Sequence, residues 1–380
     1  MSLDQGRAEG FCKRFGLKPP ILLAPMAGVS PPSLSIAMMN AGSLGACGAL
    51  LMQPSEIIAW ADEVRANGDG PFQFKLWIPD PPPRRERAHE DRLRAFLESF
   101  GPAVAANAGD ATPLGFAAQC EALLVARPPM VSSVMGLYPP GFVAKLKRAG
   151  IAWVANVSTV AEARAAEDAG ADVVVAQGME AGGHRGCFDA GEAEQRMVGL
   201  FALLPAVVAA VKVPVVATGG IADRRGVTAA LLLGASAAQI GTALLRAPEA
   251  KLAPAWADAL ARTAPEDTVV SRAFSGRAGR SIATRYVRAA TALEAPPPAP
   301  YPVQRGLTLA MRRDAERAND VERCKPGQGN RHGSRAPNPP RRSRRISEKT
   351  RASCLTGIAS PDLGAIASDE SIALKFFREA

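Results

Sequence analysis

Ala176-Gln177-Gly178-Met179-Glu180-Ala181-Gly182-Gly183-His184-Arg185-Gly186 is the stretch on which the fold turns. It follows a near-continuous apolar run over residues 171–176, the pattern of a strand buried on both faces. A helical pattern follows over residues 192–211. A polar, glycine-rich loop therefore leaves the carboxyl end of a strand and leads to a helix, which in an α/β barrel is the catalytic face. Glycines at such a place let backbone N–H groups approach a phosphate or a ring with no Cβ in the way.

Outward from this loop, the same alternation repeats in both directions. Short apolar runs at residues 21–28, 44–49, 72–78, 130–134, 151–157, 172–176, 213–218 and 238–241 read as strands. Pro31-Pro32, Pro54, Pro140, Thr159 and Asp223 mark helix starts between them. Eight strand–helix alternations match a (β/α)₈ barrel in count and size; a doubly wound sheet is the fallback. The expected architecture is an α/β TIM barrel over residues 1–245, then a small helical insertion over 246–302 placed to cover the mouth. Residues 303–323 return as the last barrel helix, and 324–380 form a basic tail of low order.

The chain of 380 residues is 47% hydrophobic, enough for one large core or two domains. Its formal charge of +9 belongs to the tail, because residues 323–351 hold ten Lys/Arg against one Glu. The body then gives no electrostatic case for nucleic acid. Six scattered cysteines form no C-x-x-C pair and no zinc spacing, so no metal site is expected and a reduced, cytoplasmic setting is the simpler reading. Asp4, Arg7 and Glu9 argue against a signal peptide. Residues 199–217 are broken by Pro205, Lys212 and Pro214, so no membrane span is expected.

Three segments together resemble the nitronate monooxygenases, FMN-dependent (β/α)₈ enzymes once called 2-nitropropane dioxygenases. They are Ala24-Pro25-Met26-Ala27-Gly28, the loop from Gln177 to Gly186, and Ala217-Thr218-Gly219-Gly220-Ile221-Ala222 followed by Gln239-Ile240-Gly241-Thr242. FMN-dependent enoyl-acyl-carrier-protein reductases share similar loops, so the resemblance speaks more strongly for the FMN barrel than for the reaction. It implies that Gly219, Gly220, Gly241 and Thr242 hold the FMN phosphate and that Gln239 and Ile240 belong to the same cofactor-binding site. It also implies that Gln177, Gly182 and Gly183 contact the cofactor and that Pro25, Met26 and Ala27 line the flavin ring. Two glycine turns at adjacent strand ends agree with phosphate binding; taken singly, each would be an ordinary βα turn.

His184 matches the family's active-site histidine, the expected acceptor of a proton beside a nitro group. The implied partners are a small nitro or nitronate substrate and O₂, oxidised to a carbonyl compound and nitrite. Two other readings stand beside it: an NAD(P)H-dependent FMN reductase of enoyl thioesters, and a non-catalytic flavin or phosphate binder. His89 reads as solvated, Glu180 as a brace for the loop in preference to a helix-start charge, Cys187 as packing, and Arg185 is left unassigned.

Two departures from the family bear on function. Phe72-Gln73-Phe74-Lys75-Leu76 carries Lys75 where the family has an Asn that contacts the cofactor. A lysine can donate a hydrogen bond and balance negative charge on a reduced flavin, but it cannot accept one. Cys324-Lys325-Pro326-Gly327-Gln328-Gly329-Asn330 stands where the family continues Met-Gln-Ala-Trp-Ala-Gly-Gln. Written as TGC AAG CCT GGG CAG GGC AAT after an A, the neighbouring frame spells that family sequence. A shifted reading frame near codon 324 is therefore expected, and an intact frame on resequencing would refute it.

Overall fold

A computed structural model describes residues 3–323; the expected basic tail and its frame change lie outside the described residues. The strands are β1 (Ile21–Leu23), β2 (Gly45–Gly48), β3 (Phe72–Trp77), β4 (Met130–Val134), β5 (Ala152–Val157), β6 (Val173–Gln177), β7 (Gly183–His184), β8 (Val215–Thr218), β9 (Ala237–Ile240), β10 (Thr268–Ser271) and β11 (Gly279–Ile282). The helices begin with α1 (Leu3–Phe15), α2 (Pro32–Asn40), α3 (Pro54–Asn67), α4 (Arg87–Glu98), α5 (Phe116–Ala126), α6 (Pro140–Ala149) and α7 (Val160–Asp168). They continue with α8 (Leu200–Ala210), α9 (Arg224–Leu232), α10 (Pro254–Arg262), α11 (Arg285–Ala290), α12 (Val303–Leu307) and α13 (Leu309–Arg317).

Eight parallel strands pair in the order β1-β9-β8-β6-β5-β4-β3-β2. A parallel bridge from Leu22 to Leu44 joins the two ends, so the sheet curls into a (β/α)₈ TIM barrel rather than an open doubly wound sheet. Period-two alternation sorts the side chains. On β3, Phe72, Phe74 and Leu76 pack outward in the strand–helix core, with Trp60 of α3 edge-on to both rings. Gln73 turns inward and reaches Gln239 on β9 at 3.3 Å.

The barrel floor is apolar and its mouth is polar. Leu22, Leu44, Met130, Val154, Val173 and Val216 fill the floor, and Phe11 of α1 joins them at 2% exposure. α1 was not foreseen from the sequence; two aromatics, Phe11 and Phe15, on an otherwise polar segment are a weak signal. Local caps fix the helices where expected. Thr159 accepts from the Glu162 N–H at 3.1 Å, and Asp223 accepts from those of Arg225 and Gly226 at 2.9 and 3.2 Å.

Two boundaries differ from expectation. The helix expected over 192–211 starts at Leu200, because the Glu180 carboxylate accepts from the Leu200 N–H at 3.0 Å and caps α8 there. The segment after β9 holds the expected short helices and, in addition, the antiparallel pair β10–β11. β11 also pairs with β7, placing Gly279 opposite His184 and Arg280 opposite Gly183. The expected last barrel helix is two helices, α12 and α13, meeting at Thr308. Its apolar face shares a second core with α4, through Leu93, Leu97, Phe274, Tyr286, Leu307 and Met311.

Candidate active site

Because all eight barrel strands run the same way, their carboxyl ends gather the glycine loops at one mouth. The β1 loop carries Pro25, Met26 and Ala27; the Ala24 N–H bonds the Ile240 carbonyl at 2.8 Å, and the Met26 N–H bonds Ser30 Oγ at 3.2 Å. Gly241 faces this loop so closely that a Cβ there would stand 3.2 Å from Ala24 Cβ and 3.4 Å from Met26 Sδ. Gly182 meets the β9 end in the same way, where a Cβ would lie 2.7 Å from Thr242 Oγ1. Gly219 has φ +117° and Gly220 φ +68°, values that suit glycine, and a Cβ on Gly219 would come 3.1 Å from the Ala181 nitrogen. Their N–H groups find no carbonyl partner among the described residues.

The loops of β1, β6, β8 and β9 thus converge, bringing together Pro25, Met26, Ala27, Gly182, Gly219, Gly220, Gly241 and Thr242. Gln177 ends β6 buried, its Nε2 donating to the His184 carbonyl at 3.1 Å and its Oε1 accepting from the Gly186 N–H at 2.7 Å. Gln239 is buried on the inner wall, and Thr218 Oγ1 donates to its carbonyl at 2.9 Å. Ile240 is set apart from this group: its side chain packs outward in the strand–helix core, so only its main chain faces the mouth. Gly183 is held in the β7–β11 ladder with open space beside it.

His184 sits at the edge of the mouth. Its Nε2 lies 2.8 Å from Ser275 Oγ, and its ring meets Trp77 edge-on with centroids 4.6 Å apart. Tyr301 also packs on Trp77, with ring centroids 5.5 Å apart. Burial pushes the Tyr301 hydroxyl pKa up, which keeps it a neutral hydrogen-bonding group. Lys75 lies one inward position below Trp77 on β3, and burial pulls its ammonium down to about 8.

The partners of the remaining candidates explain the loop's shape. Arg185 is a buried clamp: Nη1 donates to the Gln177 carbonyl at 2.6 Å and Nη2 to those of Arg196 and Ser158 at 3.0 and 3.3 Å. Cys187 is buried and its thiol is pushed up to about 11 by burial, consistent with packing rather than nucleophilic chemistry. His89 is not simply solvated, since its Nε2 lies 2.7 Å from the Pro297 carbonyl. Among the described residues no group of three or more His, Cys, Asp or Glu could hold a metal ion, and no helix is long and apolar enough to cross a membrane.

Sequence reasoning missed Ser275, Trp77 and Tyr301. Trp77 was legible, being two residues beyond Lys75 on one face of a strand. Ser275 and Tyr301 were not, because only the β7–β11 pairing brings their segment to His184.

A family model described as nitronate monooxygenase matches residues 10–340. A protein named nitronate monooxygenase from Paraburkholderia phytofirmans is 37% identical over 306 residues, covering 79% of this chain and 83% of that one. A solved structure of nitroalkane oxidase from Streptomyces ansochromogenes is similar with a TM-score of 0.74 and 34% identity, covering 83% of this chain and 90% of that one. FabK from Thermotoga maritima is similar with a TM-score of 0.62 and 27% identity, covering 86% and 87%.

Proposed function

The chain belongs to the nitronate monooxygenase family and is an oxidoreductase, and from that premise we propose that it uses FMN to oxidise alkyl nitronates, and nitroalkanes, with O₂ to a carbonyl compound and nitrite. The observation that carries the reading is the strand-end cradle facing His184, with unpartnered N–H groups at Gly219 and Gly220. The residues fit FMN. Backbone donors in a glycine cradle suit a phosphate. Gln73 Oε1 and Asn156 Nδ2 are buried on the inner wall with no hydrogen-bond partner among the described residues, as expected of groups that meet a polar ring. No G-x-G-x-x-G dinucleotide fingerprint follows any strand, which favours FMN over FAD.

FMN, when bound, supplies the electron acceptor for the substrate and the route to O₂. The protein's part is binding, orientation and proton transfer. Gly219, Gly220, Gly241 and Thr242 would hold the phosphate; Pro25, Met26, Ala27, Gln177 and Gly182 would bound the ring. The His184 imidazole takes the proton from the carbon that bears a nitro group, or, once protonated, holds a nitronate oxygen. Ser275 Oγ, 2.8 Å from Nε2, fixes the ring's orientation. Trp77 and Tyr301 wall the mouth against water.

Nitrite released from a nitronate without NAD(P)H tests this reading. Consumption of NAD(P)H with an enoyl thioester, and no nitrite, would replace it with the reductase reading. FAD rather than FMN in the supernatant of denatured protein would refute the cofactor. We read the setting as cytoplasmic from the scattered cysteine spacing; among the described residues Cys12, Cys47, Cys120 and Cys187 pair with no other cysteine.

A further inference from the structure

Lys75 is a cation on the inner wall of the barrel with no counter-ion among the described residues. Register puts it beside Gly48 of β2 and Ser132 of β4. The groups that share the upper inner wall, Gln73, Ser132, Asn156, Gln177, Thr218 and Gln239, are all neutral. Its ammonium makes no hydrogen bond or ion pair among the described residues, and no charged neighbour contributes to its pKa shift, which burial alone produces. Lys75 is half-buried, and a partly desolvated cation without a partner is costly, so such a group marks the place where an anion arrives.

Topology says which anion it is not. In the strand order β3 stands four places from β8, on the opposite wall of an eight-stranded ring. Gly219 and Gly220 follow β8, so a phosphate in their cradle lies across the barrel from Lys75. Lys75 also lies one inward position deeper than Trp77, the residue that touches His184. The charge it meets lies beneath the layer where substrate meets the histidine.

We propose that Lys75 is the counter-charge for the ring of the bound cofactor, favouring its reduced, anionic form over its oxidised, neutral one. A reduced ring would carry one negative charge, which Lys75 would balance while keeping its own proton. A neutral amide, which the resemblance implies at this position, offers a dipole and no charge. The inference rests on the FMN reading above.

The test compares FMN affinity in the oxidised and dithionite-reduced states for the parent protein, Lys75→Met and Lys75→Arg at pH 7. Lys75→Met should weaken binding of reduced FMN by about 10- to 100-fold, with oxidised FMN changed less than about threefold. At about 30 mV per tenfold for a two-electron couple, the midpoint potential falls by about 30–60 mV. Lys75→Arg should keep most of the preference. Lys75→Gln serves the same comparison if the methionine variant fails to fold. Equal weakening of both states overturns the inference, because the lysine then only packs. An unchanged potential with a raised KM for the nitronate also overturns it, because the charge then serves the substrate. Parent protein that binds FMN in neither state overturns the cofactor reading itself, and this inference with it.

Discussion

Replacing Arg277 with Met should loosen the segment after β9 from the barrel, and the size of the effect follows from its partners. Arg277 is 2% exposed. Its Nε donates to Asp80 Oδ2 at 2.9 Å, its Nη2 to Asp80 Oδ1, and its Nη1 to the Cys187 carbonyl at 3.1 Å. One guanidinium thereby ties the β10–β11 connection to the chain just past β3 and to the end of the His184 loop. Breaking a buried pair by removing one partner costs about 3–5 kcal/mol, because the other charge stays behind. The Asp80 side chain keeps 22% exposure, so the lower end, about 3 kcal/mol, is the better figure. At roughly 2–4 °C per kcal/mol for a large domain, the melting temperature should fall by about 6–12 °C. Ser275 lies two residues before Arg277 and holds the His184 ring, so turnover should fall beyond what unfolding explains at 25 °C. Pairing Arg277→Met with Asp80→Leu removes both charges and should recover part of the loss, giving a favourable coupling in a double-mutant cycle. Thermal unfolding followed by circular dichroism reads all four proteins. A shift under 2 °C for Arg277→Met, or strictly additive losses in the double variant, would refute this account of the clamp.

Three further outcomes follow from the same geometry. His184→Asn should lower turnover of a neutral nitroalkane by about 10²–10⁴-fold and of a nitronate by less, since the nitronate has already lost its proton; equal, full rates on both substrates would make His184 a bystander. Gly219→Ala forces a side chain onto φ +117°; about 1–3 kcal/mol of strain should appear as a lower melting temperature and weaker FMN binding, and unaltered FMN titration would show that the glycine is not part of the cradle. Lys75 has its folded pKa lowered to about 8 from 10.5, so FMN-free protein carries a penalty that is full below pH 8 and fades as pH rises towards 10.5. Lys75→Met should therefore stabilise the FMN-free form at pH 7 and lose that advantage by pH 10, and melting curves with the same difference at both pH values would contradict this.

The barrel was legible because its signal is local. A run such as Val173-Val174-Val175-Ala176, buried on both faces, fits a parallel sheet with helices outside, and the runs ending at Gln177 and Thr218 are followed by glycines and then a helix start. The glycine loops were legible for the same reason. The β10–β11 pair was not: Val269-Val270 is short, and its pairing with Gly183 and His184 is settled by contact across the mouth. Glu180, favoured as a loop brace over a helix-start charge, serves as the latter: its carboxylate caps α8 at Leu200, twenty positions ahead, a reach the sequence does not show. The second core, which draws α4 together with the segment after β9, joins stretches that are each unremarkable alone.

The β7–β11 pairing also sets a timetable. A nascent chain leaves the ribosome amino end first, at about 5–20 residues per second. β1 must wait for β9 before the ring can close, since Ile21 pairs with Ala238. The His184 loop waits longer, for Gly279 and for Ser275. From the emergence of residue 184 to that of residue 280 takes roughly 5–20 s at that pace. Throughout that interval the histidine exists without the strand and the hydroxyl that aim it, so synthesis completes the scaffold first and arms the chemistry last.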